Sequence, residues 1–139
     1  MKTTAVRRIL VAVDFSSCSR AALEFALSLG ASLGASLDVL FVHEPDDGKS
    51  FGTQESNATR QELHQFVETA RREQSVSLAE RVESGDARER IVAIAENDGF
   101  DLIVLGTHGR TGRPRSLAGS VAESVVRTAS QPVLTVREA

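Results

Sequence analysis

The pattern of hydrophobic residues along the chain predicts five short strands. The apolar runs lie at Ile9–Val13, Leu37–Val42, Val76–Val82, Leu102–Leu105 and Val133–Val136. The first two runs and the last two are nearly continuous in apolar residues, which is typical of parallel strands covered on both faces. We therefore expect these strands to pair in parallel.

Between the runs, apolar residues recur with helical spacing, which predicts helices over residues 18–33, 58–73, 87–97 and 120–129. Ser16 or Ser17 can cap the first helix. Strands and helices thus alternate, and because crossovers between parallel strands are right-handed, helices cover both faces of the sheet. The prediction is a Rossmann-like α/β fold with one open five-stranded parallel sheet. The polar segment 45–57 is a linker that does not divide the chain, so we expect residues 1–139 to form a single domain.

Composition narrows the class of protein. Of the 139 residues, 41% are hydrophobic and 25% are charged, which is ordinary for a globular chain and argues against disorder. The formal net charge of -3 and the absence of Trp and Tyr argue against a nucleic-acid partner. The run Ile9–Val13 is too short for a signal peptide, and no stretch is long enough to span a bilayer. We expect a cytoplasmic protein that does not bind membranes.

A basic, glycine-rich segment follows the fourth strand. Four glycines and four arginines lie between Gly106 and Arg127, and Glu123 is the only acid among them. Connections in α/β units usually need only about two to six residues. The segment is either a flexible loop with solvated arginines or a phosphate cradle, in which glycines expose N–H groups and the helix from Ser120 presents its positive end. Glycine and arginine content alone does not distinguish these interpretations.

The predicted topology brings this segment to a second polar position. Ligands of open α/β sheets bind beyond the carboxyl ends of the strands, where the strand order reverses. With the order 3-2-1-4-5, strands one and four are neighbours, so Asp14 and the glycine-rich loop face one crevice. The spacing is not a Rossmann fingerprint, and Gly48-Lys49-Ser50 lacks the upstream glycine of a Walker loop. The observed spacing is G-x-x-G at Gly106 and Gly109, followed by nine residues and then by Gly119-Ser120.

Four longer segments carry a family resemblance. They read ILVAVDFS, LDVLFVHE, DLIVLGTHGR and GSVAESVVRTASQPVLTVR. With the glycine spacing, they make the sequence similar to the nucleotide-binding branch of the universal stress protein family over nearly the whole chain. The resemblance implies a bound adenine nucleotide, ATP or a relative of it, with Mg²⁺. It also implies a homodimer through antiparallel pairing of Val133–Val136, an uncharged segment predicted to form the sheet edge.

The resemblance assigns roles to particular residues. Asp14 lies near adenine and ribose, Ala12 beside it contributes backbone groups, and Val42 contacts adenine. The phosphate-and-ribose loop corresponds to Gly106, Thr107, His108, Gly109, Arg110 and Thr111, and the helix start that holds phosphates corresponds to Gly119, Ser120 and Val121. The sequence departs from the common pattern at Pro114-Arg115, where the family is more apolar.

Several alternatives stay open at this stage. The main prediction is a stress-responsive regulatory protein that binds an adenine nucleotide; the alternative is a slow ATP hydrolase or nucleotidyl transferase on the same scaffold. A third class, an assembly protein with an empty pocket, fits poorly because the glycine pattern is intact. Asp14 could instead cap the first helix, and His108 could fix loop geometry. His43 and His64 show no partner pattern, no metal cluster is visible, and Cys18 is expected to be a buried, inert thiol.

Overall fold

A computed structural model describes residues 5–45, 53–72, 74–108 and 119–138. Strands and helices alternate along the chain, as the apolar pattern predicts. The elements are β1 (Arg8–Val13), α1 (Ser17–Leu33), β2 (Ser36–His43), α2 (Thr53–Arg71), β3 (Leu78–Ser84), α3 (Ala87–Asn97), β4 (Leu102–Gly106), α4 (Ser120–Thr128) and β5 (Val133–Val136). Within the described part of the chain, no helix combines the length and apolar character needed to cross a bilayer.

The five strands form one parallel sheet in the order β3-β2-β1-β4-β5. This confirms both the α/β class and the predicted order 3-2-1-4-5. In the central strand, Val11 lies between Val39 of β2 and Val104 of β4, and all three side chains are fully buried. The order reverses between β1 and β4, so the carboxyl ends of these two strands flank a crevice.

Two hydrophobic clusters cover the two faces of the sheet. Because side chains alternate along a strand, Ile9, Val11 and Val13 face one way and Leu10 faces the other. The first cluster joins β1 to α1 and α2, through Leu23, Leu27, Leu63 and Val67. The second joins it to α3 and α4, through Ile91, Ile94, Ala122 and Val125. The helices on both faces thus fix the sheet whose carboxyl edge carries the crevice.

The ends of α1 follow the predicted capping chemistry. Ser16 is the N-cap, and its Oγ accepts a hydrogen bond from the Ser19 amide at 3.1 Å. At the other end Gly34 adopts the left-handed conformation, with φ of 66°, and its amide donates to the carbonyl of Gly30. The helix that follows β1 therefore begins and ends at fixed positions.

The predicted bounds of two elements, β3 and α2, differ from the structure by two residues or more at both ends. β3 begins at Leu78 rather than Val76, because Val76 is buried in the core before the chain pairs with β2. A run of apolar residues indicates which residues are buried, whereas the bounds of a strand depend on its hydrogen bonds to the neighbouring strand. α2 begins at Thr53, inside the predicted linker 45–57, since a polar first turn has no apolar periodicity to detect. Residues 46–52 of that linker lie outside the described residues.

Candidate functional site

A cavity of about 540 Å³ opens at the carboxyl ends of β1, β2 and β4. This is the point at which the strand order reverses, where open α/β sheets bind their ligands. The volume lies within the range of small-molecule sites, about 300 to 1,000 Å³. The structure therefore contains the crevice that the topology predicts.

Nine of the twelve residues predicted for the site line this cavity: Ala12, Asp14, Val42, Gly106, Thr107, His108, Gly119, Ser120 and Val121. The other three, Gly109, Arg110 and Thr111, lie outside the described residues. Residues separated by up to about a hundred positions in the sequence thus meet on one surface.

Asp14 sits in a tightly held turn between β1 and α1. Its Oδ1 accepts a hydrogen bond from the Ser16 amide at 3.0 Å, and its own amide donates to Ser19 Oγ at 3.2 Å. Phe15 between them has a φ of 67°, which is strained for a bulky residue. Its ring stacks on Phe41, with the ring centroids 4.6 Å apart. The helix cap is Ser16, so Asp14 supports the turn from the cavity side without capping α1.

The end of β4 is joined to its neighbours through Thr107. The Thr107 amide donates to the Val136 carbonyl at 3.0 Å, and the Thr107 carbonyl accepts from the Gly119 amide at 2.5 Å. Its side-chain Oγ1 lies 3.1 Å from Nδ1 of His108. Thr107 thus connects β4 to the last strand, to the start of α4 and to the cavity imidazole.

The start of α4 faces the cavity with backbone amides. Gly119 is the N-cap, and it makes no side-chain capping bond. The first helical hydrogen bond runs from the Glu123 amide to the Gly119 carbonyl at 3.0 Å. The amides of Ser120, Val121 and Ala122 therefore have no acceptor within the helix, and these residues line the cavity. Such a helix end attracts anions.

Part of the cavity wall is apolar. Leu40, Leu105 and Ile91 line it from the second hydrophobic cluster, and Val42 and Ala12 pack against the same cluster. The cavity therefore combines an apolar wall with a polar, amide-bearing rim.

Among the cavity residues that were not predicted from the sequence, three have polar side chains: His43, Glu44 and Ser19. Glu44 Oε1 accepts a hydrogen bond from the Ala87 amide at 3.0 Å, which ties the end of β2 to the start of α3. Its position in the sequence could have identified Glu44 as a cavity residue, because residues that directly follow a strand lie at the carboxyl edge of the sheet. Ser19 is buried, and its Oγ donates to the Ser16 carbonyl at 3.1 Å.

Asp14 and Glu44 are the carboxylates that line the cavity among the described residues. Each has one oxygen bonded to a backbone amide, and a carboxylate can accept further bonds. Mg²⁺ in proteins is typically held by one or two carboxylates together with substrate phosphates. The donor set of the cavity thus fits Mg²⁺ carried by a nucleotide. Among the described residues, a group of three potential metal ligands lies outside the cavity, at His64, Glu68 and Glu80.

Comparisons with known proteins agree with this architecture. The family model described as "Universal stress protein family" matches residues 5–137. Universal stress protein A homolog 1 of Coxiella burnetii is 32% identical over 141 residues, covering 94% of this chain and 95% of that protein. A solved structure of a Methanocaldococcus jannaschii protein has a TM-score of 0.82 at 27% identity, covering 98% of this chain and 99% of that chain. These matches confirm the family resemblance and the fold.

A third comparison concerns a structure with a ligand. A universal stress protein of Archaeoglobus fulgidus, solved in complex with dAMP, has a TM-score of 0.72 and covers 96% of this chain and 99% of that chain. It is 24% identical, and at that level the likeness shows a shared fold.

Proposed function

Because the chain belongs to the universal stress protein family, we propose that it binds ATP or another adenine nucleotide and acts as a stress-responsive regulatory protein. The observation that carries this proposal is the composition of the cavity. Part of its wall is apolar, and the start of α4, whose N-cap makes no side-chain hydrogen bond, also lines it. A nucleotide makes the same two demands, since its base is flat and largely apolar and its phosphates are anionic.

The apolar wall suits the base. Val42 and Ala12 belong to adjacent parallel strands, so their backbone groups and small side chains can contact a ring without closing the cavity. Backbone N–H and C=O groups can recognise the amino group and ring nitrogens of adenine without a dedicated side chain.

The rim suits the phosphates and the ribose. Amides of Ser120 and Val121 are hydrogen-bond donors at the positive end of a helix, and bonds to charged groups contribute roughly 1.5 to 3 kcal/mol each. The Asp14 carboxylate would repel phosphate, so we place it against a ribose hydroxyl or Mg²⁺. Mg²⁺ would neutralise phosphate charge. On the strength of the family pattern, we also include Gly109, Arg110 and Thr111 among the residues proposed to bind the nucleotide.

The dimer is part of the same proposal. β5 lies at the edge of the sheet, and its residues Val133–Val136 carry no charge. An uncharged edge strand favours pairing with a second copy. We propose that two chains associate through antiparallel pairing of β5.

Isothermal titration with ATP, AMP and adenosine tests the nucleotide proposal. We expect one ATP per chain. Gly119→Val, which fills the space at the start of α4, should abolish ATP binding and weaken adenosine less. Circular dichroism confirms that the variant is folded. If the parent protein binds none of the three compounds, or if Gly119→Val binds ATP as well as the parent does, the proposal is wrong.

Hydrolysis of ATP is a separate question, because the imidazole of His108 also lines the cavity. A slow hydrolase would need a group that activates water. Multiple-turnover release of phosphate that is lost in His108→Ala or in an Asp14 variant, with ATP binding retained, would favour that alternative.

A further inference from the structure

The edge strand β3 carries an acidic residue, Glu80, in its core-facing row, the alternate side chains that face the hydrophobic core. Leu78, Glu80 and Val82 alternate along β3; Val82 belongs to the first hydrophobic cluster, and Leu78 packs against it. The Glu80 side chain between them is only 26% exposed. A carboxylate in such surroundings is costly unless a cation or a hydrogen-bond donor compensates it.

Helix α2 supplies the groups that face this carboxylate. His64 and Glu68 lie one helical turn apart, so they share a face of the helix. Nδ1 of His64 is 2.9 Å from Oε2 of Glu80. One potential ligand atom from each of His64, Glu68 and Glu80 lies within 4.8 Å of the others.

We propose that His64, Glu68 and Glu80 form a binding site for a divalent transition metal, with Zn²⁺ as the best match. One imidazole and two carboxylates are ligands that Zn²⁺ accepts, and water would complete a tetrahedron. Ligands about 2.1 Å from a tetrahedral Zn²⁺ are roughly 3.4 Å apart. The observed separation of 2.9 Å between His64 and Glu80 needs only a small adjustment. Glu68 is exposed, so its long side chain can rotate toward the metal.

The charges support a cation at this position. Two carboxylates face one imidazole, so a neutral His64 leaves a local charge of two negative units, which Zn²⁺ balances. None of the three residues lines the nucleotide cavity, and Glu80 pairs with Val39 in the middle of β2. The metal would join α2 to the edge of the sheet, and its effect would appear as stability independent of nucleotide binding.

Titration of the metal-free full chain with Zn²⁺ tests the site. Glu80 raises the pKa of His64 through their hydrogen bond, and Zn²⁺ binds the neutral imidazole, so the titration is carried out on the alkaline side of neutrality and repeated at higher pH, where binding should tighten. We expect one high-affinity site and a higher unfolding temperature with Zn²⁺. His64→Ala and Glu80→Gln should each weaken binding by at least about tenfold and remove the thermal shift.

Glu62→Gln is the matched control, because Glu62 is an exposed acid on the same helix. It should leave both the affinity and the thermal shift unchanged. If the parent chain binds no Zn²⁺, the proposal fails. It also fails if His64→Ala binds Zn²⁺ like the parent while His43→Ala or His108→Ala does not, since the metal then occupies the cavity. If His64 and Glu80 form only an ion pair, Glu80→Gln should have a lower unfolding temperature than the parent, and Zn²⁺ should change the unfolding temperature of neither protein. That result would also contradict the proposal.

Discussion

Gly106 at the end of β4 lies directly against Cys18 in the first turn of α1. A Cβ atom on residue 106 would be 2.9 Å from Cys18 Sγ and 3.0 Å from the Cys18 carbonyl carbon and oxygen. Such distances are too short for ordinary van der Waals contact, so glycine lets β4 and α1 approach each other. The thiol is buried, as expected from the sequence, and its Sγ lies 3.5 Å from the Val136 carbonyl oxygen.

Gly106→Ala should therefore lower the free energy of unfolding by about 1 to 3 kcal/mol, the usual cost of overpacking. Urea denaturation followed by circular dichroism measures the loss. Adding Cys18→Ala should restore only part of the stability, because the backbone carbonyl of residue 18 still obstructs the new methyl group. Full recovery in the double variant would mean that Sγ alone sets the limit.

Replacing Gly119 by Asp should separate helix stability from phosphate binding. Asp is a slightly better N-cap than Gly, so the helix should gain about a few tenths of a kcal/mol. Its carboxylate would occupy the amides of α4 and repel the phosphates, which should weaken ATP binding by at least about tenfold. Gly119→Asn is the neutral, equally large control and should bind ATP more tightly than Gly119→Asp in isothermal titration. Equal and measurable ATP affinity in the two variants would contradict a phosphate site at this helix, whereas loss of binding in both would show that side-chain bulk alone excludes ATP, as expected for Gly119→Val.

Val42 tests the position of the base. Val42→Ala should weaken ATP binding by about 1 kcal/mol, or roughly fivefold, because only part of the apolar wall is removed. Val42→Trp should block the cavity and abolish binding of both ATP and adenosine. If Val42→Trp binds either compound as the parent does, the base lies elsewhere.

Leu134→Lys tests the proposed dimer. We expect the parent chain to have twice the mass of one chain by light scattering at micromolar concentration. A lysine in β5 should shift the mass toward the monomer, because charge on an edge strand opposes pairing. Gln65→Lys, on the exposed side of α2, adds the same charge away from β5 and should stay dimeric. Circular dichroism checks that Leu134→Lys is folded, and a monomeric parent would rule out the dimer.

Protonation of Asp86, the N-cap of α3, should make the stability of the folded protein depend on pH. The hydrogen bond from Arg88 lowers the pKa of Asp86 below its usual 3.8. A lowered pKa stabilises the folded state above the unfolded value, and this contribution disappears as the pH falls through the folded value. Asp86→Asn keeps a capping side chain without the charge. Its unfolding temperature should be lower than that of the parent at neutral pH, and the difference should shrink below about pH 3.8. A constant difference would contradict the assignment.

The strand order and the switch point were predictable because they depend on local signals. Continuous apolar runs mark buried strands, and alternation with helices leaves few topologies. Nine of the cavity residues followed from motif spacing and family resemblance, which place Asp14 and Gly119 at the ends of predicted elements.

Other features depend on contacts between elements and were not visible in the sequence. The bond from Ala87 to Glu44 joins residues 43 positions apart, and His64 meets Glu80 across 16 positions. Neither pair follows a helical or strand period, so periodicity could not identify them. The first turn of α2 was missed for the related reason that polar residues give no pattern.

The position of Glu80 also bears on how the sheet ends. A foreign strand added beside β3 would cover a carboxylate on the core-facing row, which makes this edge a poor template for further pairing. The edge at β5 carries no such charge. In the dimer proposed above, the β5 edges would pair with each other and the β3 edges would resist pairing, so strand-to-strand association would close at two copies and would not grow into a fibre.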